Sequence, residues 1–238
     1  MVKKTELVEM TPEEYDRLMA LSLLDRNILT TAQAVGNPVK HTLDAADLRY
    51  MNIPEIFWEV TLPQTTPSAH EALLGFETNL AKFEQKGSGL FLYGLPGVGK
   101  TAAAVVLLKF IRERYRSGYF IKLAELRDAM RYQHDFDASE TISVRLRSVN
   151  FLVIDALTAH DISLPYSRLE DLLGLITYRG EKRRPTIITS TLEPTQIVFA
   201  ETRFFTTAGD FLVTHEVTGE NRRLNSRAEL SKLLKKGG

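Results

Sequence analysis

The run Gly94-Leu95-Pro96-Gly97-Val98-Gly99-Lys100-Thr101 has the residue types and the spacing of a phosphate-binding loop, G-x-x-x-x-G-K-[ST]. Three glycines let backbone N–H groups close around phosphate oxygens where side chains would block the approach. Lys100 supplies a cation for the terminal phosphates, and the Thr101 hydroxyl is a hard oxygen ligand for Mg²⁺. Such chemistry needs a strand before the loop and a helix after it. Gly89-Leu90-Phe91-Leu92-Tyr93 reads as the strand, and Thr101-Ala102-Ala103-Ala104-Val105-Val106-Leu107-Leu108 as the helix, whose dipole adds positive potential at the loop. Gly94, Pro96, Gly97, Val98, Gly99, Lys100 and Thr101 are therefore the expected nucleotide-binding residues, and ATP with Mg²⁺ the expected ligand.

A phosphate loop needs a partner carboxylate for the metal, and Asp155 stands at the end of the apolar run Phe151-Leu152-Val153-Ile154. The next position, where ATPases of this arrangement often carry a second acid to activate water, is Ala156. A positioned general base contributes about 10²–10⁴-fold. Its loss corresponds to roughly 3–5 kcal/mol in the barrier. Asp161 can substitute only if the intervening loop folds back, so slow hydrolysis is the expectation.

The elements that must position these groups alternate. Ser68 and Glu71 have the spacing of a capping box, opening a helix that runs to Lys86-Gly87. Tyr119–Leu123, Phe151–Asp155, Thr186–Ser190 and Phe211–Val217 read as further strands. Helical patterns lie near Glu125–Tyr132, Ser139–Arg147 and Ser167–Tyr178. Apolar strands separated by helices indicate an α/β fold with a parallel sheet covered on both faces. Ahead of it, Thr11-Pro12-Glu13-Glu14 opens a helix with an apolar stripe of Tyr15, Leu18, Leu21, Leu24 and Ile28, which Gly36-Asn37-Pro38 ends. A second short helix is expected around Asp44 to Met51.

The bulk numbers narrow the class. The chain has 238 residues, 44% of them hydrophobic, and no cysteine, so disulfides, thiolate zinc sites and thiol nucleophiles are excluded. Met1-Val2-Lys3-Lys4-Thr5-Glu6 leads straight into polar sequence, and no stretch has the length of a membrane helix; a cytoplasmic protein with no membrane contact is expected. The formal net charge is zero, but the end of the chain carries Arg222, Arg223, Arg227, Lys232, Lys235 and Lys236 against Glu229 alone. The five histidines, His41, His70, His134, His160 and His215, have no ligand spacing.

In the order of these features the chain resembles the AAA+ ATPases of the DnaC helicase-loader type, with the IstB transposition ATPases as close relatives. The resemblance rests on Asn52-Ile53-Pro54-Glu55-Ile56-Phe57, the phosphate loop and Phe151–Asp155. It rests further on Ile176-Thr177-Tyr178-Arg179 leading to Arg184-Pro185-Thr186-Ile187-Ile188-Thr189-Ser190, and on Gly219-Glu220-Asn221-Arg222-Arg223-Leu224, which is similar to the family's closing Gly-x-Ser-Tyr-Arg. It implies a P-loop NTPase three-layer sandwich (AAA+/ASCE) with a central parallel sheet. A helical N-terminal appendage over residues 1–50 is expected before the AAA+ domain of 51–225, and a basic tail of 226–238 after it. Position by position it implies that Lys100 and Thr101 bind phosphate and metal and that Asp155 completes the metal shell. Thr191 stands where the family usually has a polar sensor Asn, Arg203 in Thr202-Arg203-Phe204 is the nearest arginine-finger candidate, and Arg223 is the arginine of the closing motif.

Ala156 and Thr191 both weaken turnover, so ATP is expected to hold neighbouring copies together as a homo-oligomer. Single-stranded DNA is a possible partner, through Arg127, Arg131, Tyr132 and His134 or through Lys109, Arg112, Arg114, Tyr115 and Arg116, because strand binding combines cations with aromatic faces. The N-terminal stripe either packs on its own core or docks on a replicative helicase. Three other readings stand beside the helicase loader: an IstB-like transposition regulator whose partner is a transposase, an ATP-binding scaffold without useful turnover, and a small-molecule kinase.

Overall fold

The computed structural model describes residues 41–131, 138–162, 167–200 and 208–223. The N-terminal helix with the Tyr15–Ile28 stripe, Tyr132, His134, Arg203 and the basic tail lie outside the described residues.

The chain enters through helix α1 (Ala45–Tyr50), held at its start by a capping box in which the Asp44 side chain accepts from the Asp47 N–H and the Asp47 side chain accepts in return. Two 3₁₀ turns, Glu55–Phe57 and Leu62–Gln64, lead to helices α2 (Pro67–Thr78) and α3 (Leu80–Lys86). The core then alternates: β1 (Gly89–Tyr93), α4 (Lys100–Glu113), β2 (Gly118–Lys122), α5 (Leu123–Arg131), α6 (Ala138–Ser148), β3 (Phe151–Leu157), the short α7 (Ala159–Ile162), α8 (Ser167–Glu181), β4 (Thr186–Ser190), α9 (Pro194–Ala200) and β5 (Leu212–Glu216). The strands form one sheet in the order β2-β3-β4-β1-β5, every pair parallel. This is the α/β sandwich with a central parallel sheet that the sequence implied.

Two cores lie on opposite faces of the sheet, and the strands divide their side chains between them by simple alternation. Leu90, Leu92, Phe151, Val153 and Ile187 face the layer of α1, α2 and α4. Phe91, Leu152, Ile154 and Ile188 face the layer of α5, α6, α8 and α9. Burial on both faces explains why these strands read as continuous apolar runs. The β2 edge is covered by the entering chain: the Phe120 N–H donates to Met51 O at 2.8 Å, and Asn52 Nδ2 donates to Phe120 O at 2.9 Å.

The structure changes several boundaries. No Ser68 capping box forms. Helix α2 starts two residues earlier, with Pro67 at the first helical position after Thr66, because a proline there has no N–H to leave unpaired. Ser68 Oγ is engaged instead with Thr218, accepting its N–H at 2.8 Å and donating to its carbonyl at 3.3 Å. The helix expected to reach Lys86 breaks at Asn79, whose amide donates to Gly75 O at 3.0 Å and competes with the helical ladder. Strand β3 continues past Asp155 to Leu157 through a register shift against β4 between Ile154 and Leu157.

Candidate nucleotide site

The phosphate loop leaves the carboxyl end of β1, and β4 lies between β1 and β3. The crevice beyond these strand ends is where an open parallel sheet places its ligand. Gly94, Gly97 and Gly99 all have positive φ, 143°, 86° and 98°, so the loop turns through conformations that side-chain-bearing residues rarely adopt. Helix α4 starts at Lys100, which directs its unpaired first N–H groups at the loop.

Lys100 is buried, and its ammonium donates to Gly94 O at 2.8 Å and Leu95 O at 2.7 Å, closing the loop on itself. Burial, and next the Arg223 charge, lower its pKa to about 8, with Asp155 opposing. Arg223 therefore acts electrostatically on Lys100 from 123 residues along the chain. The backbone explains how. The Arg222 N–H donates to Gly97 O at 3.1 Å, and the Arg223 N–H donates to Asn221 Oδ1 at 3.1 Å. A Cβ on Gly97 would collide with the Asn221 amide, and one on Gly94 with Val217 O. The closing segment lies on the phosphate loop, and Gly97 is needed for that contact as well as for its own turn. Asn221 escaped the sequence reading, which looked only for the arginine of that motif.

Asp155, 6% exposed, accepts from the Thr101 hydroxyl at 2.9 Å and from the Thr189 hydroxyl at 2.6 Å, both on Oδ1. A hydroxyl and a carboxylate from two different elements thus converge where the helix begins. These are hard oxygen donors suited to Mg²⁺. Thr189 also accepts the Ala156 N–H at 3.0 Å. Sequence reading passed over Thr189 as one more residue of a buried strand; its position in the Thr-Ser dipeptide ahead of Thr191 was the available signal. Ala156 is exposed and sits at φ 70°, inside the shifted register, so the strand kinks where the second acid of related sites would stand.

The other candidates have contacts of their own. Thr191 follows β4, exposed, with its N–H donating to Leu157 O at 3.0 Å. Asp161 does not fold back as a replacement base. Its Oδ2 takes the Thr158 N–H at 2.8 Å and the Thr158 hydroxyl at 2.7 Å, and its Oδ1 pairs with Arg127. Pairing with Arg127 also commits that cation of the first DNA-binding candidate. In the second candidate, Lys109 donates to the carbonyls of Phe57, Trp58 and Val60, Arg112 pairs with Asp47 at 2.8 Å, Arg114 stacks on Phe110, and Arg116 pairs with Glu84 at 2.6 Å. Lys109 and Arg112 fasten α4 to the entering segment, and Arg116, just past its end, ties the chain to α3. Among the described residues there is no cluster of His, Cys, Asp and Glu that would hold a metal, and no helix is long and apolar enough to cross a membrane.

A family model described as IstB-like ATP binding protein matches residues 67–230, more than half of the chain. Among solved structures, the fold is similar to that of DnaI, at 20% identity over 71% of this chain and 96% of that one, with a TM-score of 0.60. It is similar also to the DnaC helicase loader, at 22% identity over 69% of this chain and 100% of that one, with a TM-score of 0.55. A third likeness is to the replication initiator DnaA bound to AMPPCP and single-stranded DNA, at 16% identity over 74% of this chain and 55% of that one, with a TM-score of 0.54. At these identities the likeness is one of fold. No curated protein sequence matches.

Proposed function

The chain belongs to the IstB-like ATP-binding protein family of AAA+ ATPases, and from that premise we propose that it is a DNA-associated, ATP-dependent assembly factor most like a replicative helicase loader. ATP with Mg²⁺ binds at the phosphate loop, between neighbouring copies of the chain, and turnover is slow. The observation that carries this reading is the contact of the closing segment with the loop. Arg222 and Asn221 touch Gly97, and Arg223 lies within electrostatic range of Lys100, so a bound triphosphate meets groups from both ends of the domain at once.

This reading gives each group a role. Backbone N–H groups at the start of α4 and the Lys100 ammonium receive the phosphates, and Lys100 exchanges its two carbonyl partners for phosphate oxygens. Thr101 and Asp155 are the residues that would hold Mg²⁺. The bound cation supplies charge neutralisation on the phosphate oxygens. Arg223 senses the chain's own nucleotide, Arg203 is the candidate finger for a neighbour's, and Thr191 is a shortened sensor. Ala156 has no group with which to activate water, which supports a long-lived ATP state that favours the assembly by its differential affinity.

The helicase-loader reading is supported by the fold likeness to DnaI and DnaC over nearly the whole of those chains. A second reading, an IstB-like regulator of transposition, is supported by the family model itself. Affinity capture from the host cytoplasm with and without ATP separates them: a retained hexameric helicase supports the first, a retained transposase the second. Sedimentation tests what they share. The chain is expected to assemble with ATP and Mg²⁺, and Lys100→Ala to remain unassembled; a monomer at every ATP concentration overturns the reading.

A further inference from the structure

The Thr189 hydroxyl is committed twice. It accepts the Ala156 N–H at 3.0 Å and donates to Asp155 Oδ1 at 2.6 Å. A hydroxyl has one proton, so a single rotamer satisfies both neighbours, and the residue is only 2% exposed. Its location follows from the sheet. Residue 189 pairs with Leu92 on β1, on the other side of β4 from β3. On the β3 side the register passes from Ile154↔Ile188 to Leu157↔Ser190, three residues against two. Asp155 and Ala156 are thus the residues that depart from regular pairing, opposite Thr189. Ala156 has left the extended region for φ 70°. Its N–H no longer faces a ladder acceptor, and the Thr189 hydroxyl is that acceptor.

We propose that Thr189 is a positioning residue for the metal–nucleotide site, fixing through one hydroxyl both the orientation of the Asp155 carboxylate and the kink at Ala156. The proposal rests on the reading that Thr101 and Asp155 hold Mg²⁺ with ATP. Two hydroxyls, Thr101 from α4 and Thr189 from β4, converge on Oδ1 of the same carboxylate. Thr101 lies on the ligand side. Thr189 comes from inside the sheet, so it orients the carboxylate without competing for the cation. Hydrogen bonds of this outer kind hold a carboxylate in its ligating rotamer, and losing one typically lowers metal affinity by about 10–100-fold. Valine at 189 keeps the shape and removes the hydroxyl; serine keeps the hydroxyl and removes a methyl.

The test is ATP affinity measured by calorimetry in excess EDTA and again in excess Mg²⁺, for wild type, Thr189→Val and Thr189→Ser. In EDTA the three proteins are expected to bind ATP alike, because Thr189 does not reach the phosphate loop's N–H groups or Lys100. On adding Mg²⁺, the tightening seen for wild type is expected to persist in Thr189→Ser and to shrink by about 10-fold or more in Thr189→Val. Equal tightening in wild type and Thr189→Val overturns the proposal and leaves the nucleotide reading intact. A wild-type protein with no affinity for ATP overturns both. Should Thr189→Val fail to fold, Thr189→Cys against Thr189→Ser makes the same comparison between a weak and a strong donor of similar shape. A reduced Mg²⁺ effect in the cysteine variant is then expected, and an unchanged one overturns the proposal.

Discussion

Lys100 sits between a like charge, Arg223, and an opposite one, Asp155, in a buried setting whose net result is a pKa of about 8. Below that value the free protein carries the ammonium; above it the amine is neutral. Phosphate favours the ammonium, so binding ATP above pH 8 must take up a proton, and affinity is expected to fall toward 10-fold per pH unit. Folding runs the other way. The unfolded lysine, with its pKa of 10.5, binds more protons than the folded one between about 8 and 10.5, so this group's contribution to stability rises with pH across that window. Calorimetry of ATP binding in two buffers of different ionisation enthalpy checks the first statement, and Arg223→Ala is expected to shift the onset upward by removing a like charge. Ala156→Glu belongs to the same scale. Its exposed position accepts a longer side chain, and Ala already carries the cost of φ 70°. Phosphate release is expected to rise by about 10²-fold if water activation is what the site lacks; no rise places the deficit at Thr191 or at the finger.

Among the elements, α8 is fixed by a buried cation. Arg179, fully buried, donates from Nε to Thr186 Oγ1 and from its two terminal nitrogens to the carbonyls of Leu146, Val149, Asn150 and Pro185, at 2.7–3.3 Å. It ties the end of α6 and the turn before β3 to the start of β4. Burial, then Arg184, pull its pKa down to about 9. Arg179→Ala orphans several of these acceptors together and is expected to destabilise by about 3 kcal/mol or more, read as a lower urea midpoint at unchanged slope. Arg179→Lys is expected to recover little of this, since three donors at a point do not reproduce a planar fork. The entering segment is tied to the closing one in a comparable way. His215 Nε2 meets Ser68 O at 2.8 Å, Ser68 Oγ pairs with Thr218, and Arg222 donates to Gln64 O.

At the scale of the whole molecule, the entering segment belongs to the domain's own core. Leu48, Met51 and Ile53 lie in the first core, and the His41 N–H donates to Glu113 O at 2.8 Å, so the domain reaches back at least to residue 41. On the helicase-loader reading, deleting residues 1–40 is expected to leave ATP affinity and the melting temperature near wild type while abolishing capture of the protein partner. Loss of nucleotide affinity in that deletion assigns the Tyr15–Ile28 stripe to the domain's own packing instead.

The sequence by itself determined the strand–loop–helix of the phosphate-loop motif, the parallel strands of the sheet and the place of Asp155 near the end of β3. Each is written within a run of contiguous residues whose period or glycine spacing has one local meaning. It did not disclose that Lys109 and Arg112 hold α4 in place, because a cation on a helix reads the same whether it faces solvent or a carboxylate from another element. Asp161 was open for the same reason: its distance from Asp155 depends on whether Thr158 and Arg127 hold it. Only the tertiary structure set Asn221 against Gly97 and Thr189 between Asp155 and Ala156. Those contacts join segments more than thirty residues apart, and they exist because a parallel sheet lays the carboxyl ends of β3, β4, β1 and β5 side by side.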